Sequence, residues 1–370
     1  MRDQATFDGP KKQDAVGDES AVSVIADFES NKHASGHFHL PEQGVGFHVL
    51  PTGGTMDRGG VRMVQRQSFS GVIAAPYTPF DVNGAIDLGP VNDQVALFQE
   101  MGVTGVFICG TTGEGFRMTV EERMSLTERW SQVRSDGMRL FVHVGANTDE
   151  DSIMLSSHAA GQNVDAIAAR IPVSEPGAGR NVAEVLDRLD EIASAAGETP
   201  VYFYDIPSLD GDPIATHAIL ERGRDRIRNL AGVKISHTDL DHLQRCLDVG
   251  SDHFEILFGV DEMLLSALER GVHGAVGSTY NYATPHYLKM IEAFDSGDIE
   301  TARELQDRSR KLVDVLYQFG LLRAGKAIMT MMGVDCGPPR DSEQPLSVDD
   351  RRRLRDQIEP LNIVARPLAC

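Results

Sequence analysis

Between Gly71 and Val276, short apolar runs and amphipathic stretches take turns along the chain. The runs are 71–75, 105–109, 140–144, 166–169, 201–204, 230–235, 256–258 and 274–276. Between them lie segments with helical spacing of apolar residues: 88–101, 120–133, 149–161, 182–195, 214–222, 240–247 and 262–270. Thr119 followed by Glu122 forms a capping box ahead of one of these. Strand–helix alternation implies parallel strands joined by helical crossovers. Eight units in about 200 residues predict an α/β fold, a closed (β/α)8 TIM barrel. An open doubly wound sheet is the alternative, but no G-x-G-x-x-G follows the first run. After Val276 the strand pattern stops. Thr284 and Pro285 read as an N-cap and a first helical residue. Helices are expected at 285–297, 299–319, 322–333 and 347–359, as a C-terminal helical extension.

The predicted organisation is therefore a poorly ordered N-terminal extension (1–67), a catalytic barrel (68–283) and a C-terminal helical region (284–362). The extension is rich in Gly, Asp, Gln, Ser and His and lacks periodicity. Met63, just before the regular part, is a competing start. His33, His37 and His39 cluster in the extension, and a solvated tail accounts for them better than a metal site, which needs fixed geometry and further ligands.

Composition narrows the partners. The formal net charge is −20, with 55 acidic and 35 basic residues and no long basic stretch. Such a chain repels a phosphate backbone, so nucleic acid is not expected as a partner. No apolar run is long enough to span a bilayer, and the first residues lack a secretory-type apolar segment. The four cysteines, Cys109, Cys246, Cys336 and Cys370, are scattered without metal-type spacing. A cytoplasmic protein with no membrane partner is the expectation.

Lys234 lies within Ala231-Gly-Val-Lys-Ile-Ser236, an apolar run. Lysine is seldom buried without a partner or a task. Removal from water disfavours an ammonium ion, and a neutral amine attacks carbonyls to form Schiff bases. A snorkelling or salt-bridged lysine is the plainer alternative. Alternation puts Gly232, Lys234 and Ser236 on one face, and Val233 and Ile235 on the helix-facing side. In the preceding run, Tyr202 and Tyr204 share a face and Phe203 takes the other. In a barrel this brings a phenol beside the amine, at the strand ends where barrel chemistry collects. A core tyrosine with a satisfied hydroxyl is the alternative.

Other strand ends are polar too. Gly110-Thr-Thr-Gly-Glu-Gly115 sets two hydroxyls between glycines, suited to a carboxylate or simply to a tight turn. Gly259-Val-Asp-Glu262 and Gly277-Ser-Thr-Tyr-Asn-Tyr282 follow the seventh and eighth runs. Asp261 and Glu262 could bind sugar hydroxyls, or Asp261 could cap the next helix.

Together, Gly110-Thr-Thr-Gly-Glu114, Tyr204-Asp-Ile-Pro207 and Gly232-Val-Lys234 resemble the pyruvate-dependent class I aldolases, the family of dihydrodipicolinate synthase and N-acetylneuraminate lyase. The resemblance covers roughly residues 69–340. Phe258–Glu262, Gly274–Tyr282, Ala327–Thr330 and Gly337–Arg340 look like the lyase branch. Synthases usually carry an arginine where this chain has Leu209, and a tyrosine near Arg170-Ile-Pro-Val173 where it has none. Both departures point away from the synthase branch, and the second removes a proton-relay element found in some relatives.

The resemblance implies retro-aldol cleavage of N-acetylneuraminate to N-acetylmannosamine and pyruvate. Lys234 would form the Schiff base and Tyr204 would relay the proton. Thr111 and Thr112 would hold the substrate carboxylate. Ser236, Gly259, Asp261, Glu262 and Ser278 would contact the sugar chain. It implies small-molecule substrates (sialic acid and pyruvate), no metal, no other cofactor and a homotetramer. Another 2-keto acid aldolase or dehydratase on the same scaffold stays open, as does a non-catalytic sialic-acid-binding sensor.

Overall fold

The structure is a computed structural model, which describes residues 70–172, 181–207, 214–250, 252–340 and 344–369. The expectations placed on residues 1–67, and on Leu209, lie outside them. Eight parallel strands close into a barrel in sequence order. They are β1 (Val72–Ala74), β2 (Gly105–Ile108), β3 (Arg139–His143), β4 (Ala166–Ala169), β5 (Val201–Asp205), β6 (Leu230–Ile235), β7 (Glu255–Phe258) and β8 (Gly274–Gly277). Pairing of β1 with β8 completes the ring, with Ile73 opposite Val276. No strand edge is left open, the usual gain of closure.

The crossover helices fall within or overlap the segments that periodicity marked: α1 (Val91–Met101), α2 (Val120–Val133), α3 (Asp149–Gly161), α4 (Val182–Ala195), α5 (Thr216–Gly223), α6 (Leu240–Gly250) and α7 (Leu264–Leu268). The capping box at Thr119 and Glu122 is formed in both directions. The stretch expected as one helix over 262–270 is instead a 3-10 turn, Asp261–Met263, followed by the short α7.

Two apolar layers result from alternation along the strands. Val233, Ile235 and Phe203 join the large outer core beneath the helices. Ile73, Phe107, Phe141, Tyr202, Tyr204, Leu257 and Val276 fill the interior. At the amino ends of the strands, a polar plug closes the barrel. Arg139 grips Glu255 with two hydrogen bonds, at 2.8 and 2.7 Å, and Tyr202 donates to Glu255 at 2.5 Å. Arg139 and Tyr202 hold Glu255 below the usual carboxylate range against the opposing effect of burial.

Four further helices follow: α8 (Tyr280–Asp295), α9 (Ile299–Phe319), α10 (Leu321–Met331) and α11 (Val348–Ile358). The start predicted at Thr284–Pro285 is corrected, because α8 begins at Tyr280 and carries Pro285 inside it. A proline there forfeits one helical hydrogen bond. Tertiary contacts outweigh that loss. The Asn281 amide donates to the carbonyls of Ala75 and Ser278, and Tyr280, Tyr282 and Tyr287 are buried. The predicted division at residue 283/284 therefore falls within a helix.

Candidate active site

Lys234 lies near the end of β6, in register with Tyr204 of β5 and Leu257 of β7. It is only 6% exposed. Its Nζ lies 3.9 Å from the centre of the Tyr204 ring and 4.4 Å from that of Phe107. The alternation that left Val233 and Ile235 outside has placed the amine inside, against two aromatic faces. No carboxylate ion pair to Lys234 occurs among the described residues, so the salt-bridged alternative is not the observed arrangement.

Tyr204 is also buried and belongs to the inner layer. Burial pushes its pKa up, but the charge of Lys234 and hydrogen bonds with Lys234, Thr111 and Ser236 bring it below the ordinary 10.0. The hydroxyl thus gathers groups from β6, the loop after β2 and the loop after β6. Phe107 and His143 meet the ring edge-on, each at 5.5 Å between centroids. These contacts fix the ring plane and leave the hydroxyl among the polar groups.

Thr111 and Thr112 occupy the turn after β2, exposed and half-buried respectively. Glu114, from the same motif, has a different place. It is buried and pairs with Lys326 of α10 at 2.8 Å. Lys326 also donates to the carbonyls of Thr78 and Pro338, each at 2.9 Å. The Arg340 amide donates to Glu114 at 2.8 Å, and its guanidinium grips Glu122 at 2.6 and 2.7 Å. The C-terminal segment therefore ties down both the threonine loop and the capping box of α2.

On the opposite side of the mouth, Asp261 is buried and accepts from the Thr279 backbone at 2.9 Å and from its hydroxyl at 2.6 Å. These bonds reach across to the end of β8, and Asp261 does not cap α7. Gly277 makes room, since a Cβ there would sit 1.8 Å from Asp261 Oδ1. Burial pushes the Asp261 carboxyl up to about 6, despite the Thr279 hydrogen bonds. The neighbouring charge of Glu262 raises it further, and that of Lys234 lowers it. Glu262 is half-buried in the turn Asp261–Met263. Ser236, Gly259 and Ser278 are half-buried at the ends of β6, β7 and β8. The Gly259 amide already donates to the Ile235 carbonyl at 2.7 Å, so this residue can meet a ligand only through its own carbonyl.

Lys234, Thr111 and Ser236 thus all act on the Tyr204 phenol, and Asp261 lies within electrostatic reach of Lys234. A nucleophilic amine, a phenol of lowered pKa and hydroxyl donors form a set suited to imine chemistry on a small carbonyl acid. Sequence reasoning missed His143 and the Glu114–Lys326 pair. The first carried a legible signal: His143 shares an inward face with Phe141 in an apolar run, as Lys234 does with Gly232. The second joins positions far apart in the chain and left no local trace. Among the described residues, no group of three or more His, Cys, Asp or Glu could hold a metal ion; His33, His37 and His39 lie outside them.

The dihydrodipicolinate synthetase family matches residues 68–361. The chain is similar to N-acetylneuraminate lyase of Rattus norvegicus, 35% identical over 82% of this chain and 95% of the rat protein. It is similar to the human lyase too, 37% identical over 74% of this chain and 87% of the human protein. Among solved structures, N-acetylneuraminate lyase of Proteus mirabilis superposes with a TM-score of 0.76 at 33% identity, over 80% of this chain and all of that one.

Proposed function

The chain belongs to the dihydrodipicolinate synthetase family, and on that premise we propose that it is a class I aldolase that cleaves N-acetylneuraminate to N-acetylmannosamine and pyruvate. The observation that carries this reading is the contact of Lys234 with Tyr204 inside the barrel. Relatives that bear the lyase name, matched over most of their length, support the choice of substrate.

In this mechanism Lys234, as the free amine, attacks the C2 ketone of the open-chain sugar acid. Water leaves and an iminium forms. Thr111 and Thr112 donate hydrogen bonds to the C1 carboxylate and hold C2 against the amine. Tyr204, as phenolate, takes the proton from the C4 hydroxyl. The C3–C4 bond breaks, its electron pair enters the iminium to give an enamine, and N-acetylmannosamine leaves as the aldehyde. Tyr204 returns the proton to C3, and hydrolysis of the resulting iminium releases pyruvate and the amine. Positive charge on the Lys234 nitrogen, as in the iminium, favours the phenolate form of Tyr204. Ser236, the Gly259 carbonyl, Asp261, Glu262 and Ser278 bind the hydroxylated chain beyond C4.

We further read the protein as a cytoplasmic homotetramer. Cys109, Cys246 and Cys336 are free, buried thiols, which suits a reducing compartment. No helix among the described residues is long and apolar enough to cross a membrane.

The test is pyruvate release from N-acetylneuraminate, with Lys234→Ala as control. Release by the native protein and none by the variant is the expected result. If the native protein ignores N-acetylmannosamine in the reverse direction but condenses pyruvate with a smaller aldehyde, the substrate is another sugar or keto acid.

A further inference from the structure

His143 closes β3 and is 1% exposed, yet the mechanism above gives it no task. Both ring nitrogens are engaged with the backbone. Nδ1 lies 3.1 Å from the Cys109 carbonyl, and Nε2 lies 3.3 Å from the Arg170 amide. A carbonyl only accepts and an amide N–H only donates. The ring is therefore fixed as the neutral Nδ1–H tautomer. A second proton on Nε2 would face the Arg170 N–H. Burial, and the charges of Arg123, Arg170 and Lys234, also push its pKa well below the ordinary range.

The Cys109 carbonyl is itself unusual. Cys109 holds a left-handed backbone at φ 59°, a conformation costly for a residue with a side chain. Its oxygen fills the space where a Cβ of Gly115 would lie, at 1.8 Å. The turn carrying Gly110, Thr111 and Thr112 thus starts from a strained residue and passes a glycine that must stay bare. His143 Nδ1–H is a side-chain donor to that turned-in carbonyl. Strain of this kind persists where the surroundings over-determine it, and it collects at functional sites. The same ring meets the Tyr204 ring edge-on at 5.5 Å and 87°. It therefore touches both the root of the Thr111–Thr112 turn, at the Cys109 carbonyl, and the ring of Tyr204.

We propose that His143 is a positioning residue of the aldolase site: a permanently neutral imidazole whose Nδ1–H pins the Cys109 carbonyl, so that the Thr111–Thr112 turn is held against the Tyr204 hydroxyl. This rests on the aldolase reading and deepens it. His143 exchanges no proton with substrate. It acts by fixing the distance between the carboxylate clamp and the proton relay, and a displacement of about 1 Å in such a pair can cost about a hundredfold in rate.

The variants are His143→Asn, whose amide N–H2 reaches the place of Nδ1–H, His143→Gln, whose amide reaches towards Nε2 instead, and His143→Leu. Each is trapped with pyruvate and borohydride to count working amines, and kcat is expressed per trapped site. This normalisation removes any loss due only to misfolded protein. The expected result is a fall of about a hundredfold in kcat per trapped site for Leu, with a rise in KM, and recovery by Asn to within about fivefold of native. A Leu variant with native kcat per site, or an Asn variant as impaired as Leu, overturns the assignment. Should the Leu variant fail to fold, Asn must exceed Gln, and equality or the reverse order overturns it. A native protein that forms no adduct removes the aldolase reading, and this assignment with it.

Discussion

Tyr204 and Lys234 are register partners on neighbouring strands, and the amine lies 3.9 Å from the centre of the phenol ring, with both side chains buried. The two residues are thus held by backbone pairing rather than by a loop, and their spacing is as rigid as the barrel. Rigid placement of reacting groups is where much of an enzyme's rate comes from.

Tyr204→Phe keeps the ring packing against Phe107 and His143 but removes the hydroxyl. Schiff-base formation with pyruvate should persist, while kcat for cleavage should fall by about 10²–10⁴-fold. Steady-state cleavage alongside borohydride trapping separates the two effects. Undiminished cleavage would remove Tyr204 from the proton path.

Asp261 sets a pH dependence on the sugar side. Its carboxyl is raised from 3.8 to about 6 by burial. KM for N-acetylneuraminate should rise as pH falls through about 6, because the protonated form accepts fewer sugar hydrogen bonds. Asp261→Asn should abolish that limb and raise KM at all pH values. A limb that survives in the variant belongs to another group.

The same shift has a consequence for stability, with a defined sign. A carboxyl whose folded pKa exceeds its unfolded one binds a proton more tightly when folded. Relative to a carboxyl protonated in both states, it costs nothing below pH 3.8, loses stability progressively through the window up to about 6, and carries its full cost above it. The ionised carboxylate therefore costs stability at neutral pH, by about 1–3 kcal/mol. Asp261→Asn should raise stability to denaturant at pH 7.5 and show little gain at pH 4. No gain at pH 7.5 would mean that the Thr279 hydrogen bonds repay the desolvation in full.

Glu114 and Lys326 form a buried pair, each side chain 2% exposed. Burial lowers the Lys326 pKa, and the charge of Glu114 raises it again in part. Lys326→Met strands a buried carboxylate and should cost about 3–5 kcal/mol. Glu114→Gln with Lys326→Met together should cost clearly less, since no lone charge remains. Urea unfolding of the single and double variants checks this. Equal losses in both would show that the lysine's backbone hydrogen bonds, not the ion pair, hold the segment.

Much of this was legible because the sequence signals were local. Period-two alternation told inside from outside at Lys234, Tyr202 and Tyr204. Buried strands of a parallel barrel stand out as apolar runs, and so the strand positions agree with expectation to within a residue at either end. Helix starts were read from caps, which worked at Thr119 and failed at Pro285. There the local rule lost to the burial of Tyr282 and the docking of Asn281 at the carboxyl ends of β1 and β8. The contact of Glu114 with Lys326 depends on the C-terminal helices folding back, and that of His143 with Cys109 on the left-handed turn of the backbone after β2. No spacing rule anticipates them. Whether four copies assemble is also beyond a single chain's pattern; light scattering should give a mass near four times 40.4 kDa.

The most direct measurement is reduction with borohydride in the presence of pyruvate, followed by peptide mass analysis. One pyruvate-derived adduct per chain, located on Lys234 and absent from Lys234→Ala, is the expected result. An unmodified Lys234 in fully folded protein, or an adduct that forms elsewhere with equal yield in the variant, would contradict it.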